Sequence, residues 1–361
     1  MHDDAPIDVT VVLFDGGYSS TAVAPLEVFH AAGLLWNRLH GAPERPRFRV
    51  RSASMDGGPV TSAYGLGLTP QCAIDEVQRT DLILLTSPHQ NAYEGIVRKT
   101  SLVPWLRAAY GRGTLVGGVC SGVAFVAESG LLEGRRATTH WALADTYRQR
   151  YPGVLWQPEH FVTEDAGIVC GGGMYASIDL SLYLVEKLCG HEVALECAKS
   201  LVVSLPRHLQ TGYGVVPLSR PHGDERVREA ELLLQRGFGR RDTSVEQIAA
   251  QLAMSPRTLL RRFKAATGHV PGEYVHLLRV SAARGLLESG TAPVQKVAES
   301  VGYEDVASFR QIFKRHTGMT PADYRSRFGP LTVTQPELAA TVVLATPPGE
   351  RRGAQELYSR A

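Results

Sequence analysis

Cysteine is scarce in this 361-residue chain, and long hydrophobic runs are absent. The five cysteines are odd in number and scattered, with no Cys-x-x-Cys pair, which argues against a disulfide framework and against a zinc site. The longest apolar runs, VTVVLF and LILLT, are far shorter than the roughly 20 residues that span a bilayer. The N-terminal MHDDAPIDV is acidic and lacks the apolar segment of a secretory signal. We therefore expect a soluble cytoplasmic protein with no membrane partner, no metal and no other cofactor.

Neither sign of charge dominates, because the formal net charge is only +2. The charge is nevertheless unevenly distributed. Residues Pro221–Gly329 hold 17 Lys and Arg against 12 Asp and Glu, whereas the rest of the chain holds 21 against 24. At 361 residues the chain is also too long for one ordinary domain. Length and charge together predict two or three domains, one of which is basic.

Short apolar runs alternate with helical patterns from Asp8 to about Ala198. Strands are predicted in DVTVVLFDG, RFRVRSAS, TDLILLTS and TLVGGVC, and a short hairpin in HFVTEDAGIVCGGG. Helices are predicted in APLEVFHAAGLLWNRL, LVPWLRAAYGRG, SGVAFVAESGLL and ASIDLSLYLVEKLCG. This alternation favours an α/β domain with a mostly parallel sheet flanked by helices. Ligands of such folds bind beyond the carboxyl ends of the strands, where the turn at Cys120 falls.

The stretch TGYGVVPLSRPHGDER, rich in Gly and Pro, ends the α/β pattern. It separates a predicted domain at residues 7–210 from an all-α domain at 224–329, with a linker at 211–223. The helices of the second domain are predicted roughly at Glu225–Arg236, Val245–Leu252, Pro256–Thr267, Gly272–Glu288, Val294–Ser300, Val306–His316 and Pro321–Phe328. The tail, residues 330–361, is predicted to be poorly ordered, or else to contribute a stray strand.

The helical region contains an internal repeat. VEQIAAQLAMSPRTLLRRFKAATGHVPGEYV is followed by VQKVAESVGYEDVASFRQIFKRHTGMTPADYR at an offset of 49 and then, after one insertion, of 50. Each copy has a short helix, a turn and a second helix with Arg and Lys, which is typical of a helix-turn-helix. The two units are expected at about 244–266 and 293–316. The duplication in a basic domain favours DNA binding over an ordinary helical bundle with a solvated charged face.

The exposed positions of the two second helices are the candidates for DNA contacts. Early residues of each helix would reach base edges, where Arg suits guanine, Gln suits adenine and a carboxylate accepts from cytosine N4. Later basic residues, and hydroxyls near the helix start, would bind phosphates. The candidates are Ser255, Arg257, Thr258, Leu260, Arg261 and Lys264 in the first unit, and Glu304, Asp305, Ala307, Arg310, Gln311 and Lys314 in the second.

MSPRTLLRRFKAATG and VGYEDVASFRQIFKRHTGMTPADYR, at this spacing, resemble the AraC-type DNA-binding domain over about 105 residues. The resemblance implies two helix-turn-helix units joined by a linker helix at about Gly272–Glu288. It also implies promoter DNA as a partner, and RNA polymerase as well if the protein is an activator.

Cys120 lies in VGGVCSGVAF, where a strand ends in a tight turn and opens a helix. Many α/β enzymes hold a nucleophile at such a turn. The helix N-terminus would favour a thiolate, His140 would act as a base, and Gly117, Gly118 and the Ser121 amide would shape an oxyanion pocket. Three interpretations remain open: Cys120 fills a tight turn, lines a ligand pocket, or is a nucleophile.

VVLFDGGYSSTAVAPLEVF, VGGVCSGVAFVAESGLLEGRRATTHW and CGGGMYASIDL resemble the PfpI/ThiJ group of the class I glutamine amidotransferase-like superfamily, over about 190 residues. The resemblance implies a flavodoxin-like fold, a cysteine elbow at Cys120 and an assisting histidine at His140. Thr21 stands where many relatives carry an acid, and it cannot hold a charge. We therefore expect no catalytic residue, but a small-molecule pocket. Its expected residues are Thr21, Gly118, Cys120, Ser121, His140 and Gly172.

The fusion of such a domain with an AraC-type domain is itself a known family arrangement. It implies a transcriptional regulator that forms a homodimer and responds to a small-molecule effector, of the amine or amino-acid-like class. Two alternatives stay open: a cysteine-dependent hydrolase or glyoxalase-like enzyme with an appended DNA-binding domain, and a redox sensor at Cys120.

Overall fold

The computed structural model describes residues 5–88, 101–204, 207, 209–214, 218–219, 222–240 and 244–330. The chain divides into two compact units, Met1–Gln210 and Thr211–Ala361, called here the N-terminal and C-terminal units. The tail from residue 331, for which disorder or a stray strand is predicted, lies outside the described residues.

The N-terminal unit is built on a seven-stranded sheet. Its strands in chain order are β1 (Ile7–Val12), β2 (Phe48–Ser54), β3 (Val60–Thr61), β4 (Gly67–Leu68), β5 (Cys72–Ala73), β6 (Leu82–Leu85), β7 (Leu115–Val119), β8 (Arg136–Ala137), β9 (Leu155–Trp156), β10 (Val162–Asp165) and β11 (Ile168–Gly171). The sheet order is β10-β11-β7-β6-β1-β2-β5, and the β3–β4 and β8–β9 pairs lie outside it. All neighbours in the sheet are parallel except β10 and β11.

Helices cover both faces of this sheet. They are α1 (Ser20–Ala31), α2 (Leu35–Leu39), α3 (Leu102–Gly111), α4 (Val123–Glu128), α5 (Ala144–Arg150), α6 (Ala176–Cys189) and α7 (His191–Ser200). Alternate residues of β6 face opposite sides: Leu84 packs with α1, α6 and α7, whereas Leu85 packs with α3 and α4. The predicted mostly parallel sheet flanked by helices is confirmed.

The helix predicted over APLEVFHAAGLLWNRL begins earlier in the structure and is divided into α1 and α2. It begins earlier, at Ser20, because the Thr21 amide and hydroxyl both donate to the Tyr18 carbonyl and close the first turn. It also breaks after Ala31. Gly33 there has a left-handed φ of +73°, and a side chain at this position would lie 2.2 Å from the Arg45 carbonyl oxygen.

The described secondary-structure elements of the C-terminal unit are all helices. Its helices are α8 (Glu225–Gly237), α9 (Val245–Gln251), α10 (Pro256–Thr267), α11 (Pro271–Ser289), α12 (Val294–Ser300), α13 (Val306–Thr317) and α14 (Pro321–Phe328). All seven agree with the predicted bounds to within one residue at each end. Two hydrophobic clusters divide the unit, and α11 contributes Tyr274 and Leu278 to the first and Ala283 and Leu287 to the second. The predicted all-α domain with two helix-turn-helix units is confirmed.

Candidate functional site

Cys120 occupies a strained turn between β7 and a 3-10 turn, Cys120–Gly122, that leads into α4. Its φ is +56°, a left-handed conformation that is costly for a residue with a side chain. Glycines on both sides permit the turn: a Cβ at Gly118 would lie 2.9 Å from Val123 Cα, and one at Gly122 only 2.5 Å from the Thr86 carbonyl oxygen. The packing therefore holds the thiol at the carboxyl edge of the sheet.

A hydrogen-bonded network of hydroxyl groups surrounds this turn. Ser87 Oγ and Ser121 Oγ lie 2.5 Å apart, and Ser121 Oγ donates to the Pro88 carbonyl at 3.0 Å. The Ser87 amide donates to Thr21 Oγ1 at 3.0 Å, and Thr21 Oγ1 donates to the Tyr18 carbonyl at 2.7 Å. Thr21 is thus a bridge between α1 and the end of β6, with its hydroxyl satisfied on both sides.

Electrostatics keep the candidate nucleophile neutral. Burial raises the pKa of the Cys120 thiol, and the opposing hydrogen bonds of the Ser87 side chain and the Ser121 amide do not outweigh it. Burial also lowers the pKa of His140. Both shifts disfavour the thiolate–imidazolium pair that nucleophilic catalysis would use. The Ser121 amide at this turn does favour a thiolate, as predicted, but desolvation of the buried thiol is the larger effect.

His140 caps a turn of its own chain. Its Nδ1 accepts from the Ala142 amide at 3.1 Å, so the neutral ring carries its proton on Nε2. That side of the ring faces Gly173, where an added Cβ would lie 3.9 Å from Nε2. Among the described residues, no hydrogen bond joins the ring to the Cys120 thiol. The adjacent Thr139 instead donates from Oγ1 to the Cys120 carbonyl at 2.9 Å, which ties this segment to the turn.

Gly172 makes room for a buried amide that the sequence did not single out. A Cβ at Gly172 would lie 2.6 Å from Nε2 of Gln210, which is 2% exposed. Gln210 Nε2 donates to the carbonyls of Thr139 and His160, at 2.9 Å each. Ser87 therefore links Thr21 to Ser121 beside Cys120, and His140 and Gly172 lie on the flank that Thr139 and Gln210 form. Gly118 does not join either group, because it packs against Val123 at the start of α4.

Ser87 is the neighbour of Cys120 that sequence reasoning missed. It is the last residue of the predicted strand TDLILLTS, and β6 lies beside β7 in the sheet. The rule that adjacent parallel strands end at the same edge, already applied to Cys120, would have found it.

The two helix-turn-helix units share one construction. Each second helix begins at a side-chain cap, Ser255 or Asp305, and ends at a left-handed glycine, Gly268 or Gly318. The turn before each second helix also contains one left-handed residue: Ala253 in the first unit, with φ +52°, and Gly302 in the second, with φ +91°.

One side of each second helix is buried and the other is exposed. Leu259, Phe263, Phe309 and Phe313 have no exposed surface and fill the two cores. The opposite faces expose Arg257, Leu260, Arg261 and Lys264 on α10, and Ala307, Arg310, Gln311 and Lys314 on α13.

The five basic side chains of these faces form no ion pair within the residues that the structure describes. Arg262 differs, because its guanidinium contacts both carboxylate oxygens of Asp224, at 2.7 and 3.0 Å. Arg262 therefore anchors α10 to the start of α8, while the charges of Arg261 and its neighbours stay available to an external anion.

Three predicted DNA contacts have local hydrogen-bond partners. Asp305 accepts from the amides of Ala307 and Ser308 and from Ser308 Oγ, at 3.0, 2.8 and 2.7 Å, and these bonds lower its pKa. Ser255 Oγ accepts from the Thr258 amide at 3.2 Å and lies 2.8 Å from Thr258 Oγ1. Ser255 and Asp305 therefore serve as helix N-caps, and Thr258 bonds to the first of these caps.

Within the described ranges, no helix combines the length and hydropathy needed to cross a bilayer. The same residues contain no group of three His, Cys, Asp or Glu side chains arranged to hold a metal ion.

Residues 8–187 match the DJ-1/PfpI family, and residues 248–327 match a helix-turn-helix domain family. A DJ-1/PfpI domain followed by a duplicated helix-turn-helix defines a class of DNA-binding transcriptional regulators. The chain belongs to that class, as an AraC-type regulator with a DJ-1/PfpI domain, and both resemblances predicted from its sequence are confirmed.

The relatives include both regulators and an enzyme. The HTH-type transcriptional regulator CdhR of Pseudomonas aeruginosa is 29% identical over 338 residues, covering 92% of each chain. The regulator GbdR of the same species is 25% identical, covering 85% of this chain and 80% of its own. An isonitrile hydratase of Pseudomonas putida is 31% identical over 150 residues, which cover 41% of this chain and 63% of the enzyme.

Proposed function

We propose that this regulator binds a small polar metabolite beside Cys120 and changes its affinity for promoter DNA in response. The observation that carries the proposal is the pairing of two exposed basic recognition faces with a strained, buried thiol that is kept neutral. Such a thiol has lost the charge that catalysis uses but keeps its place at the ligand-binding edge of the sheet.

The groups around Cys120 support a polar ligand. The Ser87 and Ser121 hydroxyls and the half-buried His140 ring present donors and acceptors around an otherwise apolar turn. We propose the amine or amino-acid-like class that the family resemblance implies. The effector can act only through different affinities for two arrangements of the protein. We propose a cytoplasmic homodimer that binds repeated half-sites and that contacts RNA polymerase if it is an activator.

A thermal-shift screen of the full chain against amines, betaines and amino acids tests the proposed effector. A ligand at 100 times its Kd stabilises the native state by about 2.7 kcal/mol, so a true effector raises the Tm. Ser87→Ala should weaken this shift, because Ser87 contacts the turn, whereas Cys72→Ala, at the far strand β5, should leave it unchanged. A compound that shifts all three proteins equally binds elsewhere, and a panel without any shift contradicts the ligand class.

A cysteine-dependent enzyme is the second candidate, favoured by the left-handed turn at Cys120 and by the relative named isonitrile hydratase. Against it stand Thr21, whose hydroxyl is satisfied by neighbours, and the neutral thiol. Cys120→Ala should be measured in a promoter reporter and in a turnover assay with isonitriles and hydrolase substrates. Wild-type turnover that disappears in Cys120→Ala but not in Cys72→Ala would establish the enzyme.

A redox sensor at Cys120 is disfavoured by the same burial, since oxidants attack exposed thiolates. DNA binding should therefore be insensitive to mild peroxide. Loss of binding that Cys120→Ala prevents would support redox sensing instead.

A further inference from the structure

Leu260 is the one large apolar side chain exposed on α10 and α13, two helices that the structure describes in full. It is 38% exposed. Arg257 lies three residues before it and Lys264 four residues after, so the three side chains share one helix face. Leu260 thus lies in the middle of a basic surface, where a polar residue would be better solvated.

The second helix-turn-helix differs at this position. At the repeat offset of 50, the residue equivalent to Leu260 is Arg310, while Lys264 and Lys314 are equivalent and identical. A shared lysine at the end of each face fits a contact that both units make with phosphate, which carries no sequence information. The leucine fits a contact that only the first unit makes.

The major groove offers one apolar group, the C5-methyl of thymine. A leucine against this methyl removes apolar surface from water on both sides, at about 25 cal/mol per Å². Against the edges of guanine, adenine or cytosine, the same leucine would desolvate donors or acceptors without replacing their hydrogen bonds. A leucine on a groove-facing surface therefore discriminates in favour of thymine.

We propose that Leu260 is a specificity-determining residue that selects one thymine through its methyl group. The proposal rests on the proposed docking of the exposed α10 face in the major groove. Arg257 and Arg261 flank Leu260 with side chains suited to guanine, whereas α13 presents Arg310 and Gln311, suited to guanine and adenine. The two units consequently read different sequences within each half-site, and thymine selection belongs to the first.

Methyl deletion in the DNA tests this directly. The full-length wild-type protein is used to select duplexes from a random-sequence library. In the selected duplex each thymine is replaced in turn by deoxyuridine, which pairs identically but lacks the methyl. Fluorescence anisotropy then compares wild type, Leu260→Ala and the control Leu232→Ala, whose leucine is 50% exposed on α8, outside both recognition helices. Circular dichroism melting verifies that all three proteins fold.

We expect one replacement to weaken wild-type binding about four-fold, as one buried methyl group predicts. Leu260→Ala should bind the selected duplex and the duplex with this sensitive thymine replaced equally well. Leu232→Ala should keep the four-fold difference between them. The proposal is overturned if no thymine is sensitive in a duplex that the wild type selects, or if Leu260→Ala retains the sensitivity. Failure to select any duplex would instead refute the DNA-binding role itself, on which the proposal depends.

Discussion

At the scale of single residues, Thr21 is a structural link rather than a weakened catalytic acid. Its hydroxyl accepts from the Ser87 amide and donates to the Tyr18 carbonyl, and the residue is fully buried. An ionised carboxylate could accept the first bond but could not donate the second. The threonine hydroxyl therefore joins α1 to the end of β6, and both of its partners are satisfied without an acid at this position.

Thr21→Val keeps the shape of the side chain but removes both hydrogen bonds. Because the Ser87 amide would be left buried without its acceptor, we expect a loss of about 1–3 kcal/mol in the free energy of unfolding. Urea denaturation measures the change. Thr21→Ser, which keeps the hydroxyl, should lose less than Thr21→Val. Equal stability of Thr21→Val and wild type would show that the bridge contributes nothing.

At the scale of secondary-structure elements, the two helix-turn-helix turns solve one problem with different residues. The left-handed position is Gly302 in the second unit but Ala253 in the first. A Cβ at Gly302 would also lie 2.9 Å from the Gly239 carbonyl oxygen, whereas Ala253 is exposed and keeps only the backbone strain.

The reciprocal substitutions should therefore change the stability of the protein in opposite directions. Ala253→Gly relieves a left-handed alanine and should stabilise the protein by about 0.5–1 kcal/mol, net of glycine's entropy cost. Gly302→Ala creates the strain together with a clash and should cost about 2 kcal/mol or more. Thermal melting of the two variants gives both values. A destabilised Ala253→Gly would mean that the alanine makes a contact worth more than its strain.

The helix caps also differ between the units, and the difference depends on pH. Hydrogen bonds from Ser308 lower the pKa of Asp305 in the folded state. The cap's stabilisation is therefore fully present above the ordinary Asp pKa of about 3.9 and is lost as the pH falls through the lower folded value. Asp305→Ala should lower the Tm at pH 7, by an amount that shrinks on acidification.

Ser255→Ala provides the matched control, because Ser255 caps the equivalent helix without a charge. Its effect on the Tm should stay constant between pH 7 and pH 3, apart from changes shared with wild type. If the Asp305→Ala deficit is likewise independent of pH, its carboxylate charge does not contribute to the cap.

The sequence predicted most of the fold but only part of the site. Strands, helices and the repeat are local patterns, and the helices of the C-terminal unit agree to within one residue. Gln210 reaches the site through partners 50 and 71 residues away, to which no local pattern points, whereas Ser87 could have been found at the end of a predicted strand. The cap at Asp305 could have been predicted, because an aspartate just before a helix is a local signal for an N-cap, although the sequence also made Asp305 a candidate DNA contact.

At the scale of the whole molecule, both helix-turn-helix units should contribute to the affinity for DNA. Lys264 and Lys314 end equivalent faces and have no ion pair among the described residues. Lys264→Ala and Lys314→Ala should each weaken binding to every duplex by a similar factor. Each should reduce the slope of log K against log salt by about 1. Titrations at several salt concentrations measure it, and a slope equal to that of wild type would place the lysine away from phosphate.

The unequal charges of the two recognition helices have a kinetic consequence. The α10 face carries Arg257, Arg261 and Lys264, whereas α13 follows Glu304 and is capped by the charged Asp305. Attraction from a distance follows net charge, so the first unit should dominate capture of DNA, and the second should act mainly on how long the complex lasts. In stopped-flow measurements, Arg261→Ala should then slow association, and Arg310→Ala should chiefly speed dissociation. The reverse pattern would mean that the second helix-turn-helix makes the first contact with DNA.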